Sequence, residues 1–363
     1  MLRIFKTCFV AALLCFVGVA NASKIDLETI AEWWNIPYPE SFDTSQLKTQ
    51  GFIHVKGNQF VDASGKHFVF RGMNIASPDK LLKQGQWKKS LFAELKDWGV
   101  NTIRLPVHPI GWRSSGKYNY IELIDEAVVW ANELGIYLIL DWHSIGYLPN
   151  GLFQHPMYKT NVQETMEFWQ FVAARYKGVP TIAVYEIFNE PTDMGGKAGT
   201  ADWLEWKAFN EQVIDVIYAH DKQVIPLVAG FNWAYDLTSV IEHPIEREGI
   251  AYVSHPYPQK AKPKPRTKDA VYASWTEKWG HVSAKYPIIA TELGWVEEGG
   301  FGAHIPVIDD GSYGPWIIEY MEARNISWTA WCFDPEWSPT MIHDWDFKPT
   351  EQGKFFKKVL QAY

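Results

Sequence analysis

Two short stretches place a carboxylate where an apolar strand should close on something inert. Thr181-Ile182-Ala183-Val184 runs through Tyr185-Glu186-Ile187-Phe188 into Asn189-Glu190-Pro191. Proline cannot continue a sheet interior, so Glu190 falls at the C-terminal lip of its strand. A second apolar run ends in Ala290-Thr291-Glu292-Leu293-Gly294-Trp295. Paired carboxylates suit a reaction that needs one protonated acid and one ionised base or nucleophile, because proximity splits their pKa values. Glycosidic bond cleavage is the commonest such reaction, and two carboxyls about 5 Å apart would favour retention of configuration. Glu186 lies four residues before Glu190, on the same face of the strand but deeper, and is set aside for that reason.

Positioning two such residues requires a scaffold that gathers strand ends. From His67 onward, short β-rich runs alternate with amphipathic helical patterns. The strands are expected at 67–73, 101–107, 136–143, 181–189, 223–229, 249–255, 286–292 and 326–333. The helical patterns lie near 87–98, 119–134, 162–177, 201–219, 233–242, 268–284, 311–324 and 351–361. Eight strand–helix units over roughly 300 residues predict an α/β fold, a single (β/α)8 TIM barrel with a short N-terminal hairpin extension. Continuous apolar runs such as Tyr137-Leu138-Ile139-Leu140 fit strands covered on both faces. An open doubly wound sheet fits less well, since no glycine-rich phosphate loop follows the first strand.

The first 22 residues read as a secretory signal: Arg3 and Lys6, an apolar run from Phe9 to Ala20, and the small-x-small site Ala20-Asn21-Ala22. Export, to an extracellular or periplasmic space, is therefore expected, with residues 23–66 as an extension bearing hairpins that cap one end of the domain at 67–363. Cys8 and Cys15 would leave with the signal, so Cys332 would stand alone and no intrachain disulfide could form. Without Arg3 and Lys6 the chain carries 32 basic against 42 acidic residues, a net charge of −10. That balance argues against nucleic acid or anionic membrane as a partner. The 19 Trp, 17 Tyr and 20 Phe are more aromatic surface than a core requires. Flat aromatic faces hold the C–H faces of sugar rings, although Trp130, Trp169, Trp203, Trp206, Trp275 and Trp279 lie in helical patterns and read as core.

In barrels of this kind chemistry gathers where strands end. The ends here offer Arg104 and His108, Asp141-Trp142-His143, Asn189-Glu190, Ser254-His255-Pro256-Tyr257, Thr291-Glu292 and Trp328-Thr329-Ala330-Trp331-Cys332-Phe333. So many polar groups at one rim are hard to explain as packing. The chain resembles glycoside hydrolase family 5, within the clan of retaining (β/α)8 glycosidases. The resemblance rests on Ile187-Phe188-Asn189-Glu190-Pro191, Thr291-Glu292-Leu293-Gly294-Trp295, Thr102-Ile103-Arg104-Leu105-Pro106, Asp141-Trp142-His143 and His255-Pro256-Tyr257, and covers roughly 67–361.

That resemblance implies Glu190 as acid/base and Glu292 as nucleophile, with Asn189 on the sugar 2-hydroxyl. It implies that Arg104 and Tyr257 hold Glu292 ionised, that His143 and His255 line the −1 subsite, and that Trp331 forms its floor before a cis Trp331–Cys332 bond. Cys332 would be structural and buried. Trp112, Trp233, Trp295 and Trp337, in loops on the same rim, are candidate sugar platforms, and His108 a weaker one. The cationic stretch Lys260–Lys268 reads as a solvated loop, with a mobile cleft rim as the functional alternative. The expected activity is a secreted endo-β-1,4-glucanase acting with retention on a polysaccharide, as a monomer and with no cofactor or metal. β-Mannanase is the chief enzymatic alternative, with xyloglucan and β-1,3-glucan also open. A non-catalytic sugar-binding barrel should lack one carboxylate, and a metal-dependent barrel hydrolase would want His-x-His where Met73-Asn74-Ile75-Ala76 stands.

Overall fold

The computed structural model describes residues 40–197 and 201–363. The signal segment, Cys8 and Cys15, and residues 23–39 of the expected extension therefore lie outside the described residues. Eight parallel strands close into a barrel. They are β1 (Arg71–Ile75), β2 (Thr102–Val107), β3 (Tyr137–Trp142), β4 (Ile182–Glu186), β5 (Ile225–Ala229), β6 (Ala251–Val253), β7 (Ile288–Ala290) and β8 (Ser327–Phe333). β2, β4, β5 and β8 are buried at every position, which is why their sequences show no alternation. The outer helices begin at side-chain caps where the sequence supplies them. Asn161 caps Val162–Arg175, Asp202 caps Trp203–Tyr218, Thr267 caps Lys268–Lys278 and Thr350 caps Glu351–Leu360.

Three features differ from the sequence expectation. The run 67–73 is two elements: His67–Phe68 pairs with Gln59–Val61 in a small antiparallel sheet, and the barrel strand begins only at Arg71. β4 stops at Glu186, and Glu190–Pro191 makes a separate parallel pair with Ile145–Gly146. The helix expected at 233–242 is absent. Phe231–Ala234 is a single distorted turn, followed by a 3-10 turn at Thr238–Val240. Spacing of Trp233, Ala234, Leu237 and Val240 mimics a helical stripe, but Gly230 packs so closely that a Cβ there would lie 2.0 Å from the Asp236 carbonyl oxygen. The chain closes into a tight turn instead.

The hairpin sheet seals the N-terminal end of the barrel. Ile53 and Phe60 join Phe70, Ile139, Val184, Leu227, Val253 and Ile289 in one buried cluster, with Phe60 edge-on to Phe70 at 5.1 Å. Closing this end leaves the opposite mouth for the polar residues. Strand register sets them in layers: Asn74 pairs with Arg104, and Asp141 with Glu186. Among the described residues, no helix is long and apolar enough to cross a membrane.

Candidate active site

Arg104 is fully buried at the centre of the barrel mouth. Its Nε and Nη2 donate to the two oxygens of Glu186 at 2.7 and 2.8 Å, and Nη1 donates to Glu292 Oε1 at 2.9 Å. Further donations reach Asn74 Oδ1 at 2.9 Å and Asn189 Oδ1 at 2.7 Å, and Asp141 Oδ2 lies 3.0 Å from Nη2. One planar guanidinium thus binds side chains from β1, β3 and β4 and from the strand ends carrying Asn189 and Glu292, a geometry that lysine could not reproduce. Burial alone would lower its pKa, but Asp141, Glu186 and Glu292 together raise it far beyond its ordinary value. Burial also disfavours the Glu186 carboxylate, yet Arg104 and His255 outweigh it and hold Glu186 at about 2.

The two carboxylates singled out in the sequence face one another. An oxygen of Glu190 lies within 4.8 Å of an oxygen of Glu292. Glu292 accepts from Arg104 on Oε1 and from the Tyr257 hydroxyl on Oε2 at 2.9 Å. Glu190 Oε1 is 2.9 Å from His255 Nδ1, and His255 Nε2 is 2.9 Å from Thr291 Oγ1. Burial pushes Glu292 up to about 7, with Glu190 adding to the rise while His255, Arg104 and Tyr257 pull it down. Both oxygens of Glu292 accept from donors, which favours its ionised form against burial. Burial lowers the His255 pKa, but the surrounding carboxylates, Glu292 foremost, raise it to about 9. His255 is therefore a cation beneath the pair.

A cavity of roughly 660 Å³ opens above this layer, and Glu190, Glu292, Asn189, His143, Tyr257 and Trp331 all line it. Arg104 fixes the orientation of the Asn189 amide by claiming its oxygen, which leaves Nδ2 buried without a partner. That is the donor available to a ligand hydroxyl. His143 Nδ1 pairs with Asp141 Oδ2 at 2.6 Å, and its ring lies near-parallel to Trp331 at 5.6 Å. Burial, reinforced by Arg104, holds His143 well below its ordinary pKa, so it presents a neutral imidazole. Trp331 continues near-parallel to Trp337 at 5.8 Å, and the Trp331–Cys332 bond is cis. Cys332 is buried and free.

Other expected site residues stand elsewhere. Arg104 and His255 support the carboxylates from below and do not line the cavity. Trp112 packs edge-on to Phe168 and Phe171, and Trp295 packs on Phe355 and Phe356; neither is a platform. Trp112, expected in a loop, lies in the short helix Pro109–Ser115, and both it and Trp295 turn toward apolar faces of neighbouring helices. Trp233 does line the cavity. Trp337 sits beside Trp331 and edge-on to the buried His108. Lys260 and Lys262 of the cationic stretch reach the cavity wall, while Arg266 and Lys268 pair with Asp309 and Glu319. The sequence reading set Glu186 aside and missed Asn74, Tyr158 and Gln154. Asn74 and Glu186 carried a signal, each being polar within an otherwise apolar strand; Tyr158 and Gln154 carried none.

An eight-stranded parallel barrel with two carboxylates at the ends of β4 and β7, facing across one cavity, defines a barrel glycoside hydrolase. The Cellulase (glycosyl hydrolase family 5) model matches residues 61–336, and the chain belongs to that family. A β-glucanase of Saccharophagus degradans, solved in native form and in complex with cellotetraose, superposes with a TM-score of 0.89. It is 62% identical, over 91% of this chain and 98% of the native-form chain. An endoglucanase of Paenibacillus polymyxa is 25% identical, over 89% of this chain and 91% of its own. An endoglucanase of Clostridium saccharobutylicum is 28% identical over 85% of this chain, which spans 65% of that relative's length.

Proposed function

We propose that this chain is an exported endo-β-1,4-glucanase that hydrolyses β-linked glucan chains with retention, by double displacement. The observation that carries the reading is the Glu190–Glu292 pair, with oxygens within 4.8 Å and both donors concentrated on Glu292. Such closeness favours a nucleophile over a water held between the two groups. Glu190 gives its proton to the glycosidic oxygen as Glu292 attacks the anomeric carbon; the carbon–oxygen bond breaks and a glycosyl ester forms on Glu292. Glu190, now ionised, takes a proton from water as that water attacks the same carbon and frees Glu292. Asn189 Nδ2 meets the sugar hydroxyl next to the reacting carbon, and Trp331 supports the ring.

Glucan as substrate is supported by the endoglucanase relatives and by the cellotetraose complex of the Saccharophagus β-glucanase. Export is supported by the charged, apolar and small-residue order of residues 1–22. The test is turnover on carboxymethyl cellulose, barley β-glucan, glucomannan, galactomannan and xyloglucan, with proton NMR of the first-formed anomer. Barley β-glucan cleaved to β-anomeric products is expected. Cleavage of galactomannan but not β-glucan would overturn the substrate, and α-anomeric products would overturn the mechanism.

A further inference from the structure

Three consecutive residues of the loop after β5, none a glycine, hold left-handed backbone: Asn232 (φ 59), Trp233 (φ 55) and Ala234 (φ 55). Crowding between Cβ and the following carbonyl disfavours that shape for L-residues, and a run of it persists only where the surroundings impose it. Here they do. His255 N donates to Ala234 O at 2.9 Å. Lys260 Nζ donates to Asn232 O at 2.7 Å and reaches Asn232 Oδ1 at 3.3 Å. The same ammonium stands 4.7 Å from the Trp233 ring centroid, a cation–π distance. From the other side, Trp233 Nε1 donates to Gln154 Oε1 at 2.7 Å. A half-buried tryptophan on a disfavoured backbone is therefore held by residues from the loops after β3 and β6.

The place of this cluster gives it a use. Trp233 follows β5, between the strand ends that carry Glu190 and Tyr257, and across the mouth from Trp331 on β8. An acid at Glu190 must face the oxygen of the departing sugar, so the wall beside it meets the unit beyond the scissile bond. We propose that Lys260 is a positioning residue for the departing part of the chain, fixing Trp233, together with Gln154, as the platform on which that glucosyl unit rests. This rests on the assignment of Glu190 as the acid. The titratable groups sharing the cavity with Lys260 are Glu190, Glu292, His143, Tyr158 and Tyr257, Lys262 on its own loop, and His304. Burial lowers the Lys260 pKa to about 8, with Glu190 opposing the fall and Lys262 adding to it. The clamp should therefore loosen as pH rises through about 8.

The experiment compares wild type, Lys260→Met and Lys260→Arg on cellohexaose and on β-cellotriosyl fluoride, whose departing fluoride reaches no platform. Lys260→Met should raise KM for cellohexaose about tenfold, and for the fluoride several times less, with kcat changed less than about twofold. Lys260→Arg should restore KM, and the wild-type KM for cellohexaose should climb through about pH 8 while that of the arginine variant stays flat. Equal KM changes on the two substrates, a loss confined to kcat, or no rescue by arginine would overturn the proposal. Full turnover of cellohexaose by Glu190→Gln would instead overturn the acid assignment beneath it.

Discussion

The mouth of this barrel is built in two manners. Around Arg104, every partner comes from a barrel strand or from the first three residues beyond one, all are buried, and register fixes the positions of Asn74, Asp141 and Glu186. Around Trp233, the cluster draws on three loops, the backbone at 232–234 is left-handed, and the side chains are half-buried or exposed. The first arrangement sets charge and proton positions, which tolerate little error. The second holds a flat surface against a sugar, which tolerates more. Chemistry and substrate fit are thus assigned to rigid and to adjustable parts of the same cavity.

Changes in the strand-borne layer should be severe. Glu190→Ala and Glu292→Ala should each lower kcat on β-glucan by on the order of 10⁴-fold, measured by reducing-sugar release. Arg104→Met removes the cation that pairs with three buried carboxylates, and should cost about 3–5 kcal/mol of stability in a urea titration. Tyr257→Phe takes one donor from Glu292 and should lower kcat/KM by roughly ten- to a hundredfold, with stability nearly intact.

The pH profile sharpens the same point. Glu292 must be ionised to attack, and with its carboxyl held up at about 7, kcat/KM should fall on the acid side as pH drops through about 7. Because the Tyr257 bond pulls Glu292 down, Tyr257→Phe should move that acid limb to higher pH; an unmoved or lowered limb would show that Tyr257 does not stabilise the Glu292 carboxylate. On the loop-borne side, Gln154→Ala should raise KM for cellohexaose only about threefold and leave kcat within experimental scatter. A loss in kcat as large as that of Tyr257→Phe would erase the distinction between the two regions.

The strand-borne layer was also the more legible in sequence. Glu190 before Pro191 and Glu292 before Gly294 stood out because an apolar run ended on charge, and the resemblance supplied their partners in order. Glu186 was set aside as too deep, which overlooked that a barrel interior has no inert depth: any carboxylate there must find a cation, and Arg104 was the one at hand. The loop-borne layer was read poorly for a physical reason. Trp112, Trp233 and Trp295 look alike in sequence, and what separates them is whether a helix flank or a distant lysine and glutamine receives the indole. Likewise, the turn at 231–236 depends on contacts with Gln154, His255 and Lys260, which local spacing does not reveal.

The division of labour between the two carboxylates is most directly tested by azide rescue. With external azide and an activated aryl β-cellobioside, Glu190→Ala should yield the retained β-glycosyl azide, because the nucleophile still forms its ester and azide replaces water on the open acid side. Glu292→Ala should yield the inverted α-glycosyl azide, formed in a single displacement from the face the nucleophile has vacated. The opposite pairing of variant and anomer, or the same anomer from both, would contradict the assignment of Glu190 and Glu292.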